Sequence, residues 1–387
     1  MHLNRWSGFL VAGLLCVLTA CGGQGKPVTA AVHFYPDTNP ALLSDWGVLS
    51  ASKGALRLSK GVVPYDLNTP LFTDYAHKLR TIYVPEGKAA AYRDNDYPDF
   101  PVGTIISKTF YYPRAAGEQT GDRQRIRKAD DTPGKVEPIL DDLASVDLVE
   151  TRLLVRREKA WEAISYVWND EQTDARLTKI GAYRDMTIVD DQGQEKDFTY
   201  VVPNTNQCAG CHALNNTTRV IAPLGVRPRH INKLFDHGDG ESNQLEYLAM
   251  IGYLKGAPAP EKAPRNADWK DEALPLNDRA RAYLDINCSH CHNRDGAADT
   301  SGLYLTQDIP LGEASGRCKL PIAAGGGTGN LPFDIVPGHP DDSVLVYRLN
   351  STDPGAMMPE LGRSLRHDEG VALIREWIQK MDGSCAG

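Results

Sequence analysis

Two five-residue segments of this sequence repeat one spacing of two cysteines and a histidine, at positions 208–212 (CAGCH) and 288–292 (CSHCH). Two thiols about one helical turn apart can reach both vinyl groups of one haem, and the imidazole that follows can bind its iron. With eight cysteines and ten histidines in 387 residues, chance gives far fewer than one such match. The sequence therefore predicts two covalently bound haem c groups. The predicted haem-binding residues are Cys208, Cys211, His212, Cys288, Cys291 and His292.

Two other chemistries use cysteine pairs of this spacing. A pair can be half of a zinc site, so two pairs could form one four-cysteine zinc site, or it can be a redox-active dithiol. Neither chemistry requires a histidine directly after each pair, and both motifs have one. Haem attachment is therefore the favoured interpretation.

The second motif has a candidate for the sixth iron ligand. A methionine opposite a histidine is a common haem ligand pair and raises the reduction potential. Met357 and Met358 precede Pro359 shortly before the last predicted helix. The order of elements in 277–387, described below, resembles the class I cytochrome c fold, in whose methionine loops the methionine directly before proline is the usual ligand. This resemblance implies that Met358 binds the second iron, with His292 on the other side. Met357 is the alternative, and core packing of both methionines is the third interpretation.

The first motif has no clear sixth ligand. Met250 and His230 lie downstream of it, and Met186 and His77 lie upstream. Met250 falls on an apolar helix where core packing is favoured, and the arginines beside His230 could equally pair with haem propionates. His290, between the cysteines of the second motif, is expected to face solvent. An open sixth position is the remaining alternative, and it would allow an iron to bind peroxide, oxygen or a substrate.

The first residues have the pattern of an export signal. A weakly basic start precedes a short apolar run that is too short to span a bilayer, so residues 1–20 are predicted to be a signal peptide. The run ends in a lipobox-like sequence at Cys21, the predicted lipidation site, and residues 21–45 are predicted to be a tether. Cys318 and Cys385 are left over, and an exported protein can join them in a disulfide.

The charge of the chain excludes one class of partner. There are 42 basic and 50 acidic side chains, and no basic block of the kind that binds nucleic acid. Haem propionates would add negative charge, so a redox protein partner is expected to offer a positive patch. The predicted location is the periplasmic side of the cell envelope, anchored by lipid. The absence of aspartate after Cys21 favours the outer membrane.

The elements around the motifs predict an α+β chain. Runs rich in β-branched and aromatic residues predict a β-rich, sandwich-like N-terminal domain at 46–203, with strands such as Trp161 to Trp168. A first haem-binding segment at 204–255 and a proline-rich linker at 256–276 follow. In 277–387, a helix, the second motif, a short helix, the methionine loop and a terminal helix occur in that order. This order resembles the class I cytochrome c fold and predicts an all-α domain.

The sequence as a whole resembles a family of dihaem c-type cytochromes from Gram-negative bacteria. The similarity rests on the residues around the first motif, 204–212, on 243–245, on the methionine loop, 357–364, and on 70–75 in the β-rich part. It implies an exported electron-transfer protein whose partner could be a parallel β-helix protein. A haem oxidoreductase with an open first haem, peroxidase-like or oxidising a small molecule, is the alternative function. A sensory or binding module is the third.

Overall fold

The computed structural model describes residues 31–117, 123–129, 141–238, 240–322 and 324–385. The signal peptide, Cys21 and the first part of the tether lie outside these residues. The described part of the chain is β-rich, with 27% of its residues in strands and 21% in helices. In the described residues, no helix is both long enough and apolar enough to cross a membrane.

Fifteen strands are present in the described residues, and twelve of them lie before the first motif. They are β1 (Leu49–Ser52), β2 (Ala55–Leu58), β3 (Val63–Tyr65), β4 (His77–Tyr83), β5 (Ala90–Ala91), β6 (Ile105–Pro113), β7 (Gln124–Arg127), β8 (Val146–Arg156), β9 (Trp161–Trp168), β10 (Ala175–Thr178), β11 (Ala182–Val189), β12 (Glu195–Val202), β13 (Leu234–Asp236), β14 (Glu241–Asn243) and β15 (Leu254–Lys255).

The largest sheet is antiparallel and has six strands in the order β10–β9–β8–β6–β4–β3. Its central strands β6 and β8 are buried along almost their whole length, because both of their faces are covered. One face packs on the N-terminal segment around Trp46. The other packs partly on a three-stranded sheet, β12–β11–β7, through Phe110 and Tyr200, and partly on helices that follow the first motif. Strand β12 alternates buried and partly exposed residues toward its end, as a half-covered strand does.

Six α-helices occur in the described part of the chain. They are α1 (Thr205–His212), α2 (Pro228–Ile231), α3 (Gln244–Met250), α4 (Leu276–Cys288), α5 (Val344–Asn350) and α6 (Asp368–Gln379). Helices α4 and α6 contact each other, and α5 also packs on α6. The apolar side of α6, with Ile374, Trp377 and Ile378 buried, follows the helical period seen in the sequence.

The prediction of an all-α, class I cytochrome c-like domain at 277–387 was wrong. The broader prediction of an α+β chain is partly consistent with the structure. Three helices of 13, 7 and 12 residues are separated by long stretches of loop and short 3₁₀ turns. The order of helix, motif, methionine and helix is local information. From this order one cannot predict that the intervening residues, which are interrupted by prolines and glycines, form loops that also pack on the β-rich part. Leu365, for example, is buried in the same cluster as Phe110 and Tyr200.

Two further contacts close the C-terminal part. Cys318 and Cys385 form a disulfide with a Cα–Cα distance of 5.2 Å, as the leftover cysteines suggested. The proline-rich segment at 256–276 is packed, because Trp269 is buried against α4 and α6 and Asn266 is buried beside Asp285. The segment therefore joins the two motif regions closely.

Candidate functional site

The first motif forms the whole of a short helix that begins directly after β12. Asn204 caps α1, with its side chain accepting from the Gln207 N–H at 2.9 Å, and the Gln207 side chain accepts from the Asn204 N–H at 2.9 Å. This reciprocal capping box fixes where the helix starts. It therefore places Cys208 and Cys211 one turn apart on a helix that packs against β9.

The second motif begins at the last residue of α4. Cys288 ends the helix, and the N–H groups of Cys291 and His292 both bond to the Cys288 carbonyl, at 3.1 and 2.9 Å. The motif is therefore a tight continuation of α4. Asp285, one turn earlier, is buried in a two-bond ion pair with Arg229 of α2 (2.8 and 3.0 Å). This pair ties the second motif's helix to the segment that follows the first motif.

Each motif borders its own large cavity. Cys208, Cys211 and His212 line a first cavity of about 1240 Å³, including its open mouth, between α1, the six-stranded sheet and the end of α4. A second cavity of about 1260 Å³ is formed by the second motif, α5 and the methionine loop. Both volumes count space that is open to solvent; without it, the first cavity measures about 110 Å³ and the second about 300 Å³. The second therefore reaches the lower end of the roughly 300–1,000 Å³ of ordinary ligand pockets, and the first is smaller. The residues of the second motif and loop that line the second cavity are Cys288, Cys291, His292 and Met358.

The two cavities share a wall. The Cys291 Sγ donates to the Gly210 carbonyl at 3.6 Å, so one motif lies against the other. A Cβ at Gly210 would lie 3.1 Å from the Leu361 Cδ1, so a larger residue there would require that leucine to shift by a few tenths of an ångström. The residues that line both cavities are Cys211, Asn287, His290, Pro359 and Leu361.

The motif histidines are oriented as metal ligands usually are. The His212 Nδ1 lies 2.8 Å from the Ala222 carbonyl, and the His292 Nδ1 lies 3.5 Å from the Ser301 hydroxyl. A backbone carbonyl on Nδ1 fixes the tautomer and leaves Nε2 with a free lone pair. Burial lowers the pKa of His212 to about 3 and that of His292 to about 4, so both rings are neutral at pH 7.

The four motif thiols do not resemble those of a redox dithiol or a zinc site. Burial raises the pKa of all four, to about 12 for Cys288 and Cys291. Reactive dithiols depend on a lowered pKa that favours the thiolate. Within the described residues no group of three or more histidine, cysteine or acidic side chains could hold a metal ion, so the two pairs do not come together as a four-sulfur group.

The first cavity carries positive charge that suits the propionates of a haem. Arg80 and Arg152 line it but are already paired, with Asp66 at 2.9 Å and Glu150 at 2.6 Å. Lys108 also lines it and has no ion pair in the described part of the chain. Together with the cysteine pair and the neutral His212, this set fits a haem c, because a propionate would give Lys108 a charge partner.

The methionine loop is held from two sides. Arg363 donates to the Met358 carbonyl with Nε at 3.1 Å and Nη2 at 2.8 Å. Asp74 of the β-rich part accepts the Ser364 N–H at 2.7 Å and the Leu365 N–H at 2.7 Å. Burial raises the pKa of Asp74 to about 6. The two segments singled out in the sequence, 70–75 and 357–364, are therefore in contact, and the contact holds Met358 at the second cavity. Met357 is not part of that cavity's lining.

None of the four proposed ligands for the first motif borders its cavity in the described structure. Met250 is 73% exposed on α3, so the prediction of core packing was wrong. Met186 is buried between the two sheets. His77 lies in β4 beside a different, small pocket, and His230 faces Asp285, with 3.5 Å between the His230 Nε2 and the carboxylate. These side chains are placed by long-range packing, which their distance along the chain from the motif does not reveal.

His290 was expected to face solvent, and this was wrong. It is 8% exposed and lines the first cavity as well as the second. The only feature of the sequence that could have drawn attention to His290 was its place between the two cysteines of a motif. Lys108 was missed because a lysine on a central strand has no motif around it.

Residues 243–245, another of the segments on which the family resemblance rests, have a structural role. Gln244 is fully buried and makes three backbone contacts. Its Oε1 accepts the Asp66 N–H at 2.8 Å, and its Nε2 donates to the Asp66 and Ile231 carbonyls at 2.9 and 2.8 Å. It therefore fastens α3 to the chain beside β3.

Comparisons with protein-family models, with curated proteins and with solved structures found no match to this chain.

Proposed function

We propose that this chain is a dihaem c-type cytochrome that passes single electrons between redox proteins. The observation that carries the proposal is the direct contact between the two motifs, with Cys291 against Gly210, together with cavities that share a wall. Electron transfer between cofactors falls steeply with distance, so two haems held by touching motifs are suited to exchange electrons. A reduced protein donor would supply one electron, and an oxidised protein acceptor would take it.

Each cavity's residues would have separate tasks. At the second, Cys288 and Cys291 would attach the haem, and His292 and Met358 would bind the iron from its two sides. At the first, Cys208 and Cys211 would attach the haem and His212 would bind the iron. Bound haem supplies the ferrous–ferric couple in both places. Secretion through the signal peptide and lipid attachment at Cys21 remain predictions from the sequence, as does a parallel β-helix partner.

Haem content tests the cofactor. The full chain is produced in a Gram-negative host that has the machinery for c-type haem attachment, and haem per chain is measured by pyridine haemochrome and intact mass. Two haems are expected. The double variants Cys208→Ala/Cys211→Ala and Cys288→Ala/Cys291→Ala should each lose one.

The matched control removes the other cysteine pair. Cys318→Ser/Cys385→Ser should keep both haems, because these cysteines form a disulfide and neither of them lines either cavity. Wild-type protein that carries no haem, or that carries zinc at these cysteines, would overturn the proposal.

The alternative function is a haem oxidoreductase with an open first iron. The observation in its favour is that none of the ligands expected from the sequence borders the first cavity. Carbon monoxide added to the reduced protein separates the two functions, since it binds an open ferrous haem and leaves two six-coordinate haems unchanged.

A further inference from the structure

The first cavity contains few side chains that could bind iron opposite His212. Haem iron in proteins is bound by histidine, methionine, cysteine or tyrosine, and a neutral lysine amine also has the lone pair required. Apart from the motif itself, three lining side chains of the described structure belong to these types. They are Tyr65, Lys108 and His290.

Two of the three would have to lose a proton first. Burial raises the pKa of Tyr65 far above neutrality, so its phenolate is disfavoured. Lys108 has a pKa lowered to about 7 by burial and by Arg152 and Arg80, but its ammonium form has no lone pair and is the form that a propionate would hold. His290 can bind iron as a neutral imidazole with no change of protonation. The chemistry therefore favours His290.

The position of His290 is set by the turn that follows α4. Its side chain is buried and lines both cavities, and Ile286, one turn earlier on α4, also lines the first. A neutral imidazole has one ring nitrogen with the free lone pair that a ligand needs. The Cys291–Gly210 contact holds this turn against the first motif. A residue of the second motif is in this way presented to the first cavity.

We propose that His290 is the sixth ligand of the iron held by the first motif, on the side opposite His212. This inference rests on the proposed function, because it requires a haem at the first motif. It makes the first haem bis-histidine and the second histidine–methionine. Because methionine ligation raises the potential, the first haem has the lower potential and electrons move from it to the second. His290 and Cys291 are adjacent, so the ligand of one haem and the attachment point of the other share a peptide bond.

The variant His290→Ala tests the ligand while keeping both cysteine pairs and both motif histidines. Its first haem should change from low-spin to high-spin in the oxidised state, bind one equivalent of carbon monoxide when reduced, and return to low-spin on addition of imidazole. Magnetic resonance and near-infrared dichroism of the oxidised protein read the ligand sets. The wild type should show one bis-histidine and one histidine–methionine haem.

Three control variants separate ligation from loss of a buried side chain. His230→Gln removes a buried histidine that faces Asp285, outside the first cavity's lining, and should leave both spectra unchanged. Tyr65→Phe and Lys108→Gln remove the competing ligands and should also keep the first haem low-spin. A His290→Ala protein with unchanged spectra, or a wild type whose spectrum lacks a bis-histidine haem, overturns the inference. Either result with two haems present leaves the proposed function standing, whereas missing haem overturns both.

Discussion

Removing the charge of Asp285 should destabilise the fold far more than removing the charge of a similar pair on the surface. The Asp285 side chain is 0% exposed and Arg229 is 11% exposed. Two Arg229 nitrogens donate to the carboxylate at 2.8 and 3.0 Å, and Asn266 donates at 2.8 Å. Asp285→Asn has nearly the same shape but leaves the Arg229 guanidinium buried without its counter-charge.

The expected loss follows from burial. Breaking a buried ion pair by removing one partner costs about 3–5 kcal/mol, because the remaining charge is uncompensated. Burial by itself raises the pKa of Asp285. The opposite effects of His230 and Arg229 are together larger, so the pKa lies well below the usual carboxyl range. A lowered pKa means that the stabilisation is complete at neutral pH and is lost only as the pH falls below the usual carboxyl range.

The matched control is an ion pair of the same two-bond geometry on the solvent-exposed surface of the protein. Arg375 donates to Asp341 at 2.6 and 3.0 Å, but the Asp341 side chain is 79% exposed. Asp341→Asn should leave the free energy of unfolding unchanged within the error of the measurement, because solvent already screens this pair.

Denaturant unfolding of the haem-loaded proteins at pH 7, followed by far-ultraviolet dichroism, measures both variants. The result that refutes the reasoning is an Asp285→Asn loss as small as that of Asp341→Asn. Burial would then not decide the strength of the Asp285–Arg229 pair, and the pair would not be what joins α4 to α2.

Three other changes have distinct expected results. Met358→Ala should abolish the sulfur-to-iron absorption band of the oxidised protein, and Met357→Ala should leave it; a band that survives the first change contradicts the ligand assignment. Cys385→Ser should lower the free energy of unfolding by about 2–4 kcal/mol, because the disulfide to Cys318 closes a long loop; reductant should bring the wild type, but not the variant, down by the same amount. Burial lowers the pKa of His77 from 6.5 to about 4, so its contribution to stability is complete above about pH 6.5 and is lost as the pH falls toward 4. Between pH 7 and pH 4, the free energy of unfolding of His77→Phe should therefore decrease by roughly 3 kcal/mol less than that of the wild type. If the free energies of unfolding of variant and wild type changed in parallel with pH, the prediction would be contradicted.

Local patterns in the sequence predicted local structure well. The run Trp161–Trp168 is a strand with the predicted bounds, and the helix before the second motif and the terminal helix are present as α4 and α6. These elements are specified by residue type and period within a few turns of chain. The disulfide could also be predicted, since only one pair of cysteines remained after the motifs, the proposed lipid site and Cys16 of the predicted signal peptide.

Properties set by distant contacts could not be predicted in the same way. The order of helices in 277–387 suggested an independent all-α domain, but that segment is mostly loop and shares a cluster with the sheets through Leu365. Burial of His290 depends on contact between residues about 80 positions apart, at Gly210 and Cys291. No period or composition within either motif carries that information.

The shared wall also determines the order in which this protein can be assembled. Cys208 and Cys288 are buried, and the wall between their cavities is built from α1, α4 and the methionine loop around Leu361. In the proposed dihaem cytochrome, a thiol enclosed in this way could not meet a bulky porphyrin after folding, so the thioether linkages would have to form while the chain is still open. Folding would then close the polypeptide around haem that is already attached, and a failure at one motif would leave the other haem with an incomplete wall. Attachment of haem would therefore precede folding in both halves of the site.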